Sequence, residues 1–176
     1  NENCFVNPKN DYSSTHLFAE YYIKQFHYSD NLQYTILRLT NSYGAPSFIH
    51  SDKWYLVLNN LVKMAVEKKI IILNSNGKIR KDFIGMNDVA AITEKILKIK
   101  ASNEIYNLSS NKSFKILEIA HIVKNIYEKR YKSKIKIIKN IKDKTKYTNL
   151  KVLNKKLKNL VNFKLNDSLE KEANKI

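Results

Sequence analysis

Hydrophobic positions recur along the chain with two alternating periods. A period of three to four residues predicts amphipathic helices, and a period of two predicts strands. The two kinds of segment alternate and are separated by turn residues, most clearly Asn74-Ser75-Asn76-Gly77. Alternating helices and strands are typical of an α/β fold. The predicted helices cover residues 13–26, 52–67, 88–99, 113–129, 149–160 and 167–173, and the predicted strands cover 33–39, 69–73, 104–108 and 134–139.

Several of these elements carry expectations about their ends and faces. Asp88 is predicted to cap helix 88–99, because its carboxylate can accept bonds from first-turn N–H groups. The residues 41–44, with Pro46, predict a turn that ends strand 33–39. Residues 134–139 alternate Lys and Ile, which indicates an edge strand with one wet face. Helix 52–67 is predicted to pack Trp54 on its apolar side.

Composition narrows the class of protein. The 176 residues are 43% hydrophobic, enough for a real core, and contain no run of 18 apolar residues. We therefore expect a cytoplasmic chain without membrane insertion. Its single cysteine, Cys4, excludes an internal disulfide and a multi-cysteine metal site. The spacing of His27, His50 and His121 does not match that of metal ligands, so no metal is expected. The sequence lacks the G-x-S-x-G motif of many serine hydrolases, so a hydrolase is not expected.

The formal charge of +16 is concentrated in the last third of the sequence. Residues 111–164 hold 17 Lys and Arg against 3 Asp and Glu. Such a patch can attract nucleic acid or anionic lipid. However, the excess of positive charge comes mostly from Lys, which lacks the planar guanidinium with which Arg binds phosphates and bases. The Lys residues also accompany abundant Asn and Ile, the residues that an AT-rich genome over-supplies. This pattern favours compositional drift over a nucleic-acid site.

Four segments resemble, in order and spacing, motifs of the extended short-chain dehydrogenase/reductases. Residues 8–20 resemble the segment with the family's Tyr-x-x-x-Lys, and residues 37–46 (LRLTNSYGAP) resemble its LRxxNxYGxP strand end. Residues 77–90 resemble its RDFIxVxDVA segment, and residues 104–120 resemble its EIYNL strand and the following helix. Together they resemble the C-terminal portion of the NAD-dependent epimerase/dehydratase family, in its nucleotide-sugar branch.

The resemblance implies a fold as well as a family. It implies the C-terminal part of a Rossmann-type fold, with a small mixed α/β substrate-binding lobe. Residues 1–48 would form the last part of the Rossmann-type sheet, and residues 49–176 mainly the lobe, with returning sheet elements. Gly44, Gly77 and Gly85 are too far apart for a G-x-G-x-x-G or G-x-x-G-x-x-G loop. The N-terminal dinucleotide-binding half is therefore expected to be absent from this chain.

The resemblance also implies catalytic and cofactor-binding residues. The enzyme would use NAD or NADP, and Tyr12 would exchange a proton with a sugar hydroxyl. His16 occupies the position of the family's Lys, one helical turn from Tyr12. Unlike Lys, imidazole is not a permanent cation, so Tyr12 is expected to be activated more weakly. Tyr12, His16 and Thr40 would contact the cofactor.

Substrate-binding residues follow from the same resemblance. Asn41 would hydrogen-bond the diphosphate of a nucleotide sugar, and Lys81 aligns with the family's diphosphate-binding Arg. Arg80 is its neighbour, and only one of the two can face the cleft because strand residues alternate. Trp54 falls where the family lines the base pocket, although core packing explains it as well.

The function implied is the substrate-binding portion of a nucleotide-sugar epimerase or dehydratase, in surface-polysaccharide sugar synthesis and inactive alone. Partners would be a nucleotide sugar, a missing N-terminal half and a second copy, since the first helix is apolar on more than one face. Two alternatives remain open. One is a non-catalytic remnant that binds a nucleotide sugar or a partner, and the other is a basic nucleic-acid-binding domain.

Overall fold

The computed structural model of the chain describes residues 1–48, 50, 52–145, 147 and 151–176. It confirms an α/β fold in which helices and strands alternate. The helices are α1 (Asp11–Asp30), α2 (Val57–Lys68), α3 (Met86–Leu97), α4 (Ile116–Tyr131), α5 (Lys155–Leu160) and α6 (Leu169–Lys175), with a 3₁₀ turn at Asp52–Tyr55. The strands are β1 (Thr35–Leu39), β2 (Asn41–Tyr43), β3 (Ile70–Leu73), β4 (Arg80–Gly85), β5 (Glu104–Leu108), β6 (Ser113–Lys115) and β7 (Lys136–Lys139).

The described strands form three small sheets. β1 pairs with β5 in parallel, and β3 pairs with β7 in parallel. β4 lies between β2, which is parallel to it, and β6, which is antiparallel. Two of these pairings join a strand before residue 48 to one after it. The division into 1–48 and 49–176 stays a prediction.

Two apolar clusters hold these elements together. The larger one packs α2, α4 and α6 with β3 and includes Tyr43 and Phe83. The smaller one packs α3 and α5 against β4 and β5 and includes Ile84 and Leu108. Phe83 and Ile84 are adjacent in β4 and point to opposite faces, because strand residues alternate. β4 therefore links both cores.

Helix α1 is longer than the predicted 13–26. Asn10 caps its N-terminus by accepting a bond from the Ser13 N–H (2.9 Å), and the Ser13 hydroxyl accepts from the Asn10 N–H in return. At the other end Asn31 takes a left-handed conformation with φ 56°. Local hydrogen bonding thus determines both ends, beyond the limits of the apolar pattern.

The prediction that Asp88 caps the third helix is wrong. Gly85 is the N-cap of α3, and Asp88 lies in its first turn. The Asp88 carboxylate instead accepts the N–H groups of Asn166 (2.8 Å) and Asp167 (3.1 Å). The Asp167 carboxylate takes the capping role from outside the helix, accepting from the Asn87 N–H (3.0 Å). A partner so distant in sequence leaves no local capping signal.

Other boundaries also differ from the predictions. The predicted turn at 41–44 contains β2, since β4 supplies a partner for this short segment. Helix 52–67 is divided because Leu56 is extended (ψ 143°), and Trp54 lies partly exposed outside both cores. Helix 113–129 starts only after β6, and helix 149–160 starts at Lys155; residues 149–150 lie outside the described residues. The edge strand 134–139 is confirmed as β7, with exposed Lys136, Ile138 and Lys139.

Candidate functional site

Helix α1 runs antiparallel to β1. Near the end of α1, the His27 ring lies 5.4 Å from the ring of Tyr34, just before β1 begins. Further toward the start of α1, Glu20 forms an ion pair with Arg38 near the end of β1 (2.7 Å). The Arg38 guanidinium donates two hydrogen bonds to the Glu20 carboxylate, and these bonds raise the pKa of the guanidinium. The first turn of α1 therefore extends beyond the C-terminal end of β1, where parallel α/β sheets bind ligands.

Tyr12 lies in that first turn, and His16 lies one turn later. Tyr12 is eight residues before Glu20, which places it about 12 Å further along the helix axis. Its ring meets the His16 ring edge to face, with centroids 4.6 Å apart. Both residues are exposed, and Tyr12 keeps 75% of its surface. The structure brings together the two residues that the sequence predicted as a pair.

Asp82, in the first half of β4, joins the ends of β1 and β5. Its buried carboxylate accepts the Thr40 hydroxyl (2.8 Å) and the Ser110 N–H (2.9 Å). Its carbonyl oxygen accepts one N–H of the Asn41 amide (3.0 Å). Thr40 follows β1, Ser110 follows β5, and Asp82 belongs to β4. A buried carboxylate needs hydrogen-bond donors, and these bonds fix the ends of β1 and β5 relative to β4.

Asn41 and Lys81 share one face of the β2–β4 pair. In the register of that pair Asn41 lies opposite Phe83, so their side chains point the same way. Lys81 is two residues before Phe83 and has the same orientation, about 8 Å from Asn41 between Cα atoms. Within the described ranges, the partly buried Lys81 ammonium has no ion pair or hydrogen bond. The face thus carries an available cation beside an amide.

Arg80 points to the opposite face and is bound to neighbouring protein groups. Its guanidinium donates to the Ser113 carbonyl (2.8 Å) and to the Glu118 carboxylate (3.2 Å). Glu118 also accepts the Lys115 N–H (2.9 Å) at the start of α4. Arg80 therefore joins β4 to α4, while Lys81 remains available.

Tyr43 differs from Tyr12 in its surroundings. It ends β2, is 5% exposed and packs in the larger core. Burial raises the pKa of Tyr43 above its usual range, and the nearby carboxylates of Asp167, Asp88 and Glu172 raise it further. A buried phenol of this kind stays neutral and is unsuited to proton exchange at neutral pH.

Sequence reasoning missed Asp82 and Glu172 as organisers of this edge. Glu172 is buried on α6, and its carboxylate accepts the Ala45 N–H just after β2 (3.1 Å). Both carboxylates bind groups that are distant in sequence, such as Thr40 and Ala45. For Asp82 a signal existed, because a carboxylate directly before the apolar pair Phe83-Ile84 of a strand needs partners once the strand is packed.

The glycines of this chain serve packing and turns. Gly77 has φ +73° in the turn before β4, and a Cβ on Gly85 would lie 2.1 Å from the Asp167 carboxylate. Tyr12 and His16 are exposed beyond the end of β1, and exposed hydroxyl and imidazole groups suit a ribose, whereas the Thr40 hydroxyl is already bonded to Asp82. None of the three glycines lies in a phosphate-binding turn.

Neither a metal site nor a membrane-spanning helix is found among the described residues. No group of three or more His, Cys, Asp or Glu side chains there could hold a metal ion. No helix in those ranges has the length and apolar character needed to cross a membrane.

Comparison with known proteins identifies the family. The sequence pattern of the NAD dependent epimerase/dehydratase family matches residues 1–109, more than half of the chain. This chain belongs to that family. This chain is 27% identical over 117 residues to the dTDP-L-rhamnose 4-epimerase of Burkholderia thailandensis. That match covers 66% of this chain and 32% of the relative, so the chain spans about a third of the relative's length.

Solved structures share the fold of this epimerase/dehydratase-family chain. The enzyme RMD from Pseudomonas aeruginosa, complexed with NADPH, superposes with a TM-score of 0.80 at 16% identity. The UDP-N-acetylglucosamine 4-epimerase of Methanobrevibacter ruminantium M1, in complex with UDP-N-acetylmuramic acid, gives 0.78 at 21% identity. Each match covers 99% of this chain, but 56% of the first structure and 54% of the second. The fold is thus the Rossmann-type fold of these enzymes, represented by about half of their length.

Proposed function

We propose that this chain is the substrate-binding portion of an NAD- or NADP-dependent nucleotide-sugar epimerase or dehydratase. Family membership supports this reaction class, and similar proteins are enzymes of nucleotide sugars by name. The observation that carries the proposal is the shared face of Asn41 and Lys81. An amide donor and an available ammonium lie on this one face, and Asn41 comes two residues after the C-terminal end of β1, the side of a parallel sheet on which ligands bind.

These two groups suit the diphosphate of a nucleotide sugar. The Asn41 amide has two N–H donors, and one already bonds the Asp82 carbonyl, which fixes the orientation of the other. Lys81 supplies a positive charge to the same ligand, though as a point charge without the bidentate geometry of Arg. Arg80 is not given this role, because Glu118 and the Ser113 carbonyl already bind it.

Tyr12 is proposed as the general acid/base and His16 as its neighbour. The exposed Tyr12 hydroxyl would take a proton from a sugar hydroxyl or return one. His16, 4.6 Å away between ring centroids, would orient the phenol and donate to a ribose hydroxyl. Thr40 would lie along the nicotinamide dinucleotide, which supplies hydride transfer when bound.

Catalysis is tested by supplying a dinucleotide-binding Rossmann half as a second chain and assaying nucleotide-sugar turnover. A general acid/base contributes about 10²–10⁴ in rate, so Tyr12→Phe should lower kcat by that factor. Tyr28→Phe is the matched control, because Tyr28 is also exposed on α1 but at its opposite end. Equal activity of the Tyr12 and Tyr28 variants would contradict the assignment.

A second candidate function is nucleotide-sugar binding without turnover. The observation that favours it is His16, which replaces the permanent cation that the family's motif places beside the tyrosine. In that case Asn41 and Lys81 would still bind the diphosphate, and Tyr12→Phe would change no measured rate.

A further inference from the structure

The C-terminal segment 166–176 is anchored to both strands of the β2–β4 pair. Asp167 and Asp88 each accept the other's backbone N–H with their carboxylates, which joins the segment to the first turn of α3, directly after β4. Leu169 and Ala173 of α6 are buried in the larger core. Hydrogen bonds and apolar packing together therefore fix the position of α6 next to the two strands.

Glu172 extends from α6 to the end of the second strand. It is 3% exposed, and one carboxylate oxygen accepts the Ala45 N–H at 3.1 Å. The other oxygen accepts from the Lys175 ammonium, which is exposed. A buried carboxylate is costly unless donors satisfy it, and these two donors do so.

The bond to Ala45 matters because β2 is only three residues long. Its last partner in the pairing with β4 is Gly85, opposite Tyr43. At its start, the Asn41 amide is held by the Asp82 carbonyl. Two residues beyond its end, Glu172 holds the Ala45 N–H, so the strand is fixed on both sides.

We infer that Glu172 is a positioning residue for the substrate site. By fixing Ala45 it sets the position of β2, and therefore the direction in which Asn41 presents its remaining N–H toward a nucleoside diphosphate beside Lys81. This inference rests on the proposed function, because it concerns the same diphosphate site. Glu172 itself does not touch the ligand.

The test compares two substitutions of similar size in an NMR titration with UDP-N-acetylglucosamine and dTDP-glucose. Glu172→Gln keeps an oxygen that accepts the Ala45 N–H, whereas Glu172→Met removes it and keeps the length of the side chain. We expect Glu172→Gln to bind like the wild type and Glu172→Met to bind about fivefold more weakly, the effect of one hydrogen bond. Glu170→Met, an exposed change on the same helix, should leave the affinity unchanged.

A double-mutant cycle separates positioning from general stability. In the Asn41→Ala background, Glu172→Met should cause no further loss of affinity, because Glu172 acts through Asn41. Additive losses would overturn the inference, as would wild-type affinity in Glu172→Met or an equal loss in Glu172→Gln. If Glu172→Met does not fold, the inference is tested by hydrogen exchange of the Ala45 N–H in the wild type. Rapid exchange of that N–H would also overturn the inference. A wild type that binds neither sugar would instead contradict the proposed function.

Discussion

His16 is the residue at which this site departs most from its family's motif. Its ring lies edge to face with Tyr12, one helical turn away, and both rings are exposed. An imidazole at this distance can orient a phenol and donate to a ribose, but it does not supply the permanent charge of a lysine. The proposal therefore gives His16 the role of orienting the phenol of Tyr12 and contacting the ribose.

In the two-chain assay described above, His16→Lys should raise activity at neutral pH. The added ammonium favours the phenolate of Tyr12, so the rate should rise at a lower pH than in the wild type. His16→Ala should weaken cofactor binding because the ribose contact is lost. The pH–rate profile measures both effects, and a lower rate in His16→Lys across the profile would assign His16 a role of its own.

The residue pairs that could be predicted are those set by short spacing. Tyr12 and His16 lie at i and i+4, and a helix brings such residues together. Asp82 and Glu172 were not predicted, because each accepts a bond from a residue more than 40 positions away. Such partners are fixed by the packing of whole elements and leave no periodic signal.

Helix α1 is the element with the most unusual exposure. None of its 20 residues is buried. Leu17, Glu20, Ile23 and His27 line a partly buried side at helical spacing. The outer side carries large apolar side chains that remain at least half exposed: Phe18 (57%), Tyr21 (57%), Tyr22 (60%) and Phe26 (50%). The sequence predicted an apolar surface on this helix, and the structure places one there.

We predict that this surface makes the isolated chain self-associate, because large contiguous apolar surfaces promote association. The double substitution of Phe18 and Tyr22 by Lys should convert the chain to a monomer, since the two side chains are one turn apart on the exposed side. Light scattering at increasing concentration measures this. A wild type that stays monomeric at high concentration would contradict the prediction.

At the scale of elements, the six described helices and four of the seven described strands match predicted ones, but β2, β4 and β6 were not predicted and most ends are shifted. The apolar pattern located the cores of α2, α3 and α4, because their buried faces repeat at helical spacing. The sequence predicts a turn where β2 lies, because three residues are too few to show a hydrophobic alternation. This strand forms because β4 supplies its hydrogen-bond partners. A distant residue also caps a helix, because the Asp167 carboxylate accepts an N–H of the first turn of α3. The start of α3 therefore differs from the start that local capping rules predict.

The chain as a whole spans about a third of the length of the related dTDP-L-rhamnose 4-epimerase and about half of the solved structures that share its fold. Dinucleotide affinity depends largely on a pyrophosphate seated on a glycine-rich turn and a helix N-terminus. The three glycines here occupy other roles, in a turn and in close packing. Under the proposed function, Asn41 and Lys81 would bind the sugar diphosphate, and Tyr12, His16 and Thr40 would contact the nicotinamide side of the cofactor.

We therefore predict that the isolated chain binds NAD and NADP no more tightly than the millimolar range. The contacts of Tyr12, His16 and Thr40 alone should not offset the cost of immobilising the dinucleotide. Calorimetric titration of each dinucleotide measures this, and micromolar affinity would contradict it.

The central claim is that the face shared by Asn41 and Lys81 binds the diphosphate of a nucleotide sugar. The most direct measurement is an NMR titration of the wild type, Lys81→Ala and Lys100→Ala with UDP-N-acetylglucosamine and dTDP-glucose. Lys100 is exposed after α3 and controls for the loss of one positive charge. Saturable binding by the wild type and Lys100→Ala, with about tenfold weaker binding by Lys81→Ala, is the predicted result. No saturable binding by the wild type, or equal affinities in all three proteins, would contradict the claim.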